Sequence, residues 1–427
     1  MTFPRMTGAV HPGISDALRS AQLVWLAAAV ISVSAGYGAL MPVLPGWLGS
    51  MMAGASDIVI ARHVGFLIGI YAAGVLVGAL FWGAVSDRIG RSRILIIGLI
   101  SYGASLLLLL IPTTSGLWGL YAARAANGFF VAAVVPVVSA LVAEHTPLEQ
   151  RARRIAWLSA MSLLGFMFGP AMIQVADWAS AVAGAGPITP VASARNVIVL
   201  SAALGTVMML GLMRTLPGQE AVDLAQESAQ TDEHTTALCW LSAVVMFVLG
   251  GFELGIVLQG LQHSDMTTRE VAFMFAQCSL AMLVVNAALF FTGLLEKISS
   301  RILIGLGLIL ASAGLSVMAW HGAENELYLG ISLTSGGTGL VLPVIAYLAA
   351  GASHRKLGFT MGALAAAASV GQALGSSLAG AIFGELGQGT FGLMILPLVA
   401  MLALLLVRQG WWGTSARDAD RPKVILP

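Results

Sequence analysis

The chain has 427 residues, 58% of them hydrophobic and only 10% charged, with a formal net charge of +1. Soluble domains carry about 25% charged residues, so a water-covered core of this size is excluded, and the balanced charge excludes a basic nucleic-acid-binding face. The two cysteines, Cys239 and Cys278, lie inside apolar runs and read as small buried residues, not as a disulfide or a metal site.

A bilayer core takes about 20 apolar residues in helix. In chain order the apolar windows are 22–43, 64–84, 94–112, 116–143, 155–177, 196–213, 237–260, 271–294, 301–320, 326–350, 357–383 and 388–408. The first twenty residues are mixed and polar, and the run that follows is long enough to span, so an uncleaved N-terminus is expected. With both termini in the cytoplasm, seventeen of the 21 lysines and arginines fall on the inside. Three fall outside, Arg62, Arg195 and Arg269, and Arg124 lies within a span. That asymmetry sets the orientation in a cell inner membrane.

The chain repeats itself. "RSRILIIGL" from Arg91 matches "SSRILIGLG" from Ser299, and "PVVSALVA" from Pro136 matches "PVIAYLAA" from Pro343. Gly165 and Gly169 match Gly371 and Gly375, and "WLAAAVISVSAGYGALMPVL" from Trp25 resembles "WLSAVVMFVLGGFELGIVL" from Trp240. The expected organisation is an all-α membrane protein of twelve helices in two like-oriented six-helix halves. The halves cover 22–213 and 237–408. A cytoplasmic segment 1–21 precedes them, an acidic linker 214–236 joins them, and a tail 409–427 follows.

"GAVSDRIGRSR", residues 83–93, concentrates an acid and three arginines between spans two and three. Gly83, Asp87, Arg88, Gly90, Arg91 and Arg93 resemble the signature of the major facilitator superfamily, with the drug/proton antiporter branch as the nearest likeness. The resemblance implies the twelve-helix fold of that family and a cytoplasmic latch between its halves. Gly83 is expected to allow close helix approach and Gly90 a tight turn. Asp87 is expected to accept hydrogen bonds from the other half. "GLLEKISSR" carries a worn copy, with Glu296, Lys297 and Arg301 as a lesser latch. Arg124, with Asn127 and Gly128 following, is similar to the antiporters' Arg-x-x-Gln-Gly motif. Gly165, Gly169 and Pro170 resemble the antiporters' packing motif in span five, which here departs at Ile173 and Gln174.

A charge inside a span is a functional hypothesis by default. Arg124 lies about 12 Å deep. Glu253, in "GGFELG", is the acid placed well inside a span, at similar depth. The two are expected to share the outer half of a central crevice. Burial and a nearby arginine act on the carboxyl in opposite senses, so conformation would set its hold on a proton. Tyr37, Asn127, Ser139, Gln277, Asn286, Thr334, Tyr347 and Gln372 are further polar residues in spans, some facing substrate and most tying helices together.

The reading is a monomeric carrier that exports a small organic molecule against protons, a drug or a self-made metabolite such as a siderophore. Proton-coupled uptake on the same fold is the alternative. No catalytic constellation such as His-Glu-x-x-His is present, and no phosphate-binding loop, so neither an enzyme nor an ATP-driven pump is expected, and no cofactor or metal.

Overall fold

The computed structural model describes residues 18–111, 116–146, 148–216, 233–262, 266–320, 324–350 and 354–408. Every regular element among them is helical. The expected N-terminal segment, linker and tail fall largely outside the described residues, at 1–17, 217–232 and 409–427.

Twelve spans follow one another. The first comprises α1 (Ser20–Leu40), a 3-10 turn (Met41–Val43) and α2 (Leu44–Met51). Next come α3 (Asp57–Ile89), α4 (Arg91–Leu108), and the pair α5 (Leu117–Val131) and α6 (Val135–Glu144). Then come α7 (Leu148–Val182) and α8 (Pro190–Thr215), which complete six spans. The second six are α9 (Glu233–Gln262), α10 (Thr268–Thr292), α12 (Ser300–Trp320), α13 (Glu324–Ala350), α14 (His354–Leu386) and α15 (Gly389–Val407). A one-turn helix, α11 (Leu294–Lys297), precedes α12.

The helices outrun the apolar windows. α7 has 35 residues, about 52 Å at 1.5 Å per residue, where hydrophobicity alone marks 155–177. An apolar window measures only the hydrocarbon thickness, but a helix continues for as long as its backbone groups pair. The fourth span also breaks at Ala132–Val134, where the sequence pattern runs on. Pro136 has no N–H and opens α6 in its first turn. Pro170 and Pro343 sit inside unbroken helices.

Glycines set the packing within each half. A Cβ on Gly165 would overlap the Ile31 carbonyl, and one on Gly169 the backbone of Gly38, so α7 lies backbone-to-backbone on α1. Gly371 and Gly375 do the same with Ala243 and Phe247, so α14 lies on α9. The repeat seen in sequence is therefore a repeat of contact. Between the halves, a Cβ on Gly65 would lie 2.7 Å from the Gly380 Cα, which brings α3 against α14. Phe166 of α7 meets Phe275 of α10 with ring centroids 5.6 Å apart.

The two ends of the bundle differ in charge. At one end Gln22 Nε2 donates to the Thr215 carbonyl (2.9 Å), Arg91 pairs with Glu144 (2.5 Å) and Arg301 donates to the Leu406 carbonyl (3.1 Å). These contacts gather the ends of six spans at an arginine-rich end, to which the α3–α4 turn also belongs. Gly90 forms that turn at φ +101°, a conformation other residues avoid.

Gly375→Leu should be far more damaging than a helix glycine change ordinarily is. Its side chain would have to displace the α9 backbone, an overpacking cost of about 1–3 kcal/mol or more. Gly83→Ala meets open space and should stay within about 0.5 kcal/mol. Thermal unfolding of the two purified variants beside the unaltered protein checks the contrast.

Candidate functional site

A cavity of about 840 Å³ lies between the halves. Its walls are α1, α6 and α7 on one side and α10 and α13 on the other. Val30, Leu163, Met282 and Leu342 make it mainly apolar. Ser139, Ser159, Ser162, Asn286 and Tyr347 add polar groups, and Arg153 adds a charge at the arginine-rich end. This size and mixture suit a drug-sized organic molecule. Most of the polar groups have local partners. Ser139 donates to the Val135 carbonyl (3.0 Å) and Ser159 to the Ile155 carbonyl (3.2 Å). Asn286 donates to the Met282 carbonyl (2.8 Å), and the Ser34 and Ser162 hydroxyls share a 2.8 Å hydrogen bond. The prolines of the repeat flank the cavity from opposite halves: Pro343 lines it directly, and Pro136 adjoins the lining residue Val135.

Arg124 and Glu253 are not on the cavity wall. Along their spans both lie in the half away from the arginine-rich end. Arg124 is 1% exposed and Glu253 8%. The guanidinium sits over the Tyr71 ring at 4.6 Å and at 6.0 Å from the Tyr37 ring. Its Nη1 donates to Asn127 Oδ1 at 3.4 Å. Asn127 Nδ2 donates to Ser105 Oγ (3.1 Å), and Ser105 donates to the Tyr102 carbonyl (2.8 Å). Among the described residues, the buried Arg124 Nε and Nη2 atoms find no hydrogen-bond partner, and neither does Glu253 Oε2. No ion pair joins the two residues among the described contacts. Both lie within electrostatic reach of Tyr37. The Tyr37 hydroxyl in turn accepts from Gln372 Nε2 (3.3 Å), a contact from one half to the other. Tyr37 also stacks on Tyr71 (5.0 Å) and on Phe166 (5.7 Å). An aromatic layer, Tyr71–Tyr37–Phe166–Phe275, therefore crosses the interface beyond the cavity.

The remaining motif residues are placed as follows. Arg91 is bound to Glu144 within its own half, and Arg88 and Arg93 are exposed. A Cβ at Gly83 meets nothing within 4 Å, so no helix approaches closely there in this conformation. The side chains of Asp87 and Glu296 lie outside the described residues. Lys297 Nζ caps the carbonyl of Thr292 (2.7 Å). Gly165, Gly169 and Pro170 belong to the α1–α7 contact.

Sequence reasoning passed over Tyr71, Ser105, Ser159 and Ser162, and counted Arg153 only as a marker of topology. One signal for the cavity face was available. Ile155, Ser159, Ser162 and Phe166 recur at spacings of four and three on span five, a single polar-flecked helix face. Tyr71 gave no such signal, because its role depends on the helix opposite.

Residues 26–286 match the family model described as Major Facilitator Superfamily. Multidrug resistance protein 2 of Bacillus subtilis (strain 168) is 24% identical over 362 residues, 82% of this chain and 85% of that one. The class D tetracycline resistance protein of Salmonella ordonez is 26% identical over 383 residues, 87% of this chain and 92% of that one. The class B protein of Escherichia coli is 39% identical over 135 residues, 32% of each chain, so this match spans about a third of that relative. Among solved structures, the human organic anion transporter MFSD10 superposes with a TM-score of 0.69, covering 90% of this chain and 99% of that one. At 17% identity that likeness is one of fold.

The stacking of Arg124 on Tyr71 makes a specific demand. Tyr71→Phe keeps the ring face and should leave stability nearly unchanged. Tyr71→Leu removes it and should cost about 2 kcal/mol, the value of a desolvated cation–π contact. Thermal unfolding of the purified protein in detergent reads the difference.

Proposed function

The chain belongs to the Major Facilitator Superfamily, and from that premise we propose that it is a proton-coupled exporter of small, amphipathic organic molecules. The observation that supports this best is the cavity between the halves, which reaches the arginine-rich end, while the aromatic layer and the buried charges do not line it. Lysines and arginines gather on the cytoplasmic side of membrane proteins. The conformation then faces inward, ready to take cargo from the cytoplasm. Rocking the halves would carry the cavity to the other side. In that state the latch residues Gly83, Asp87, Arg88, Gly90, Arg91 and Arg93 would close the cytoplasmic end. Glu296, Lys297 and Arg301 would assist from the second half.

Glu253 would supply the coupling. Its carboxyl is buried, with no ion pair to it among the described residues. A buried charge needs a counter-ion, hydrogen bonds or water. Gaining or losing a proton therefore changes which conformation accommodates Glu253, and a ligand or proton shifts an equilibrium only by such differential stabilisation. Arg124, held by Asn127 and Tyr71, would be the fixed charge against which Glu253 is balanced.

The resistance proteins among its relatives support outward transport of drugs, and the cavity would equally hold a self-made metabolite such as a siderophore. A second reading, proton-driven uptake, is favoured by one observation. The span-five motif that resembles the antiporters' departs at Ile173 and Gln174.

Everted membrane vesicles test both readings. With the lumen acidified, export predicts accumulation of tetracycline or a dye inside the vesicles, and Glu253→Gln should cut the gradient-driven rate by at least about tenfold, the usual weight of a positioned proton-transfer group. Movement in the opposite direction would establish uptake. A Glu253→Gln protein that still follows the pH gradient would remove Glu253 from the mechanism.

A further inference from the structure

We propose that Asn286 is the specificity-determining acceptor of the cavity: its side-chain oxygen takes a hydrogen bond from an N–H or O–H group on the cargo, so the cavity prefers amphipathic molecules that carry such a donor. The proposal rests on reading the cavity as the cargo site. It begins with how closely two helices lie. A Cβ on Gly339 of α13 would come within 3.0 Å of the Met282 Cα of α10, so the two backbones run side by side there. One asparagine then reaches both. Asn286 Nδ2 donates to the Met282 carbonyl one turn back on its own helix (2.8 Å) and, more weakly, to the Gly339 carbonyl across the contact (3.4 Å). A side-chain amide has its hydrogens on nitrogen and its lone pairs on oxygen. Two carbonyls at one end therefore fix that end as the nitrogen. Oδ1 is left without a donor among the described residues, on a side chain that lines the cavity.

The wall around it is rich in acceptors. Ser139 and Ser159 spend their hydrogens on the Val135 and Ile155 carbonyls and keep lone pairs. Ser34 and Ser162 use one of their two hydrogens between them. Tyr347 and Arg153, which can donate, line the cavity nearer the arginine-rich end. Tyr347 lies about two turns beyond Gly339 on α13, and Arg153 about two turns before Ser159 on α7. An N–H or O–H that leaves water for this mainly apolar space must find an acceptor or lose affinity. A serine can swing its hydroxyl off a helix carbonyl and change role. Asn286 cannot turn without releasing both of its carbonyls, so it is the fixed acceptor of the wall. A cargo whose donor is capped by a methyl group leaves Oδ1 covered and unpaired, and a site built to pair such a group rejects the capped analogue.

N-phenyl-1-naphthylamine carries one N–H, and its N-methyl derivative carries none. Equilibrium dialysis against full-length protein in phosphatidylcholine nanodiscs, with binding to empty nanodiscs subtracted, reads both. The unaltered protein should bind the N–H probe about fivefold or more tightly, the weight of one net hydrogen bond. Asn286→Leu keeps the branched shape without the acceptor and should bring the two affinities together by weakening the N–H probe. Asn286→Ala should do the same where the leucine variant is not monodisperse. Ser139→Ala should keep the preference. Ser162→Trp and, separately, Ala346→Phe fill the cavity, and either one that remains monodisperse should abolish specific binding of both probes. If the unaltered protein binds the two probes equally, if the preference survives in an Asn286 variant, or if Ser139→Ala erases it as fully, the assignment to Asn286 is wrong. If the filled variants still bind, or the unaltered protein binds neither probe above empty nanodiscs, the cavity is not the cargo site, and the reading beneath the proposal fails instead.

Discussion

A guanidinium with almost no access to solvent, inside a protein surrounded by lipid, constrains everything near it. Arg124 cannot shed its charge and cannot reach water. With no ion pair to it among the described residues, the charge is met by polarisable faces and amide dipoles. Tyr71 supplies the face and Asn127 the dipole, and Ser105 anchors Asn127. These residues come from α3, α5 and α4, so a single charge fixes three helices in one register. Gly128 serves the same end, because a Cβ there would collide with the Tyr71 carbonyl. The glycine and the arginine lie four residues apart on one helix face, and together they press Tyr71 into place.

Polar bonds and apolar contacts are divided unevenly. Inside each half, helices are tied by hydrogen bonds and an ion pair. Examples are Gln22 to Thr215, Arg91 to Glu144, and Gln277 to Ser332 at 2.7 Å. Across the interface, glycine against glycine and ring against ring prevail, with the 3.3 Å bond from Gln372 to Tyr37 as a polar addition. Van der Waals contacts between smooth surfaces separate without leaving unpaired donors behind. A buried hydrogen bond that opens leaves two. This distribution would let the halves move as rigid bodies at little cost in unpaired polar groups.

The spans, their order and the internal repeat were legible in the sequence because the bilayer enforces them through composition, and composition is additive along the chain. Gly371 and Gly375 matched Gly165 and Gly169 for a reason that survives folding: each pair removes the same steric block between the same two helices of its half. The break before Pro136 was not legible, since Pro170 and Pro343 occupy helix interiors without interrupting them. A proline's effect depends on whether neighbours re-satisfy the freed carbonyl. Arg124 and Glu253 stood out because charge is rare in spans. That no ion pair joins them among the described contacts was not legible, because the distance between residues on different helices is set by rotation about each axis, and periodicity fixes that only for strongly two-faced helices. Many of these helices are apolar all round, which leaves the pattern silent about facing.

The separation matters for any account that links cargo to charge. Neither Arg124 nor Glu253 is among the residues that line the cavity in this conformation. What lies between is short. Ser34 and Ser162 bond to each other at the cavity, and each is one helical turn from a member of the aromatic layer, Tyr37 on α1 and Phe166 on α7. Tyr37 in turn is within reach of both buried charges and of Gln372 in the opposite half. A shift of α1 against α7 therefore moves the serine pair and the tyrosine together. That contact is built backbone-to-backbone through Gly165 and Gly169, which leaves it little slack. Two tightly packed helices transmit displacement as a unit, so the cavity wall and the buried charges are joined through a contact with little room to slide.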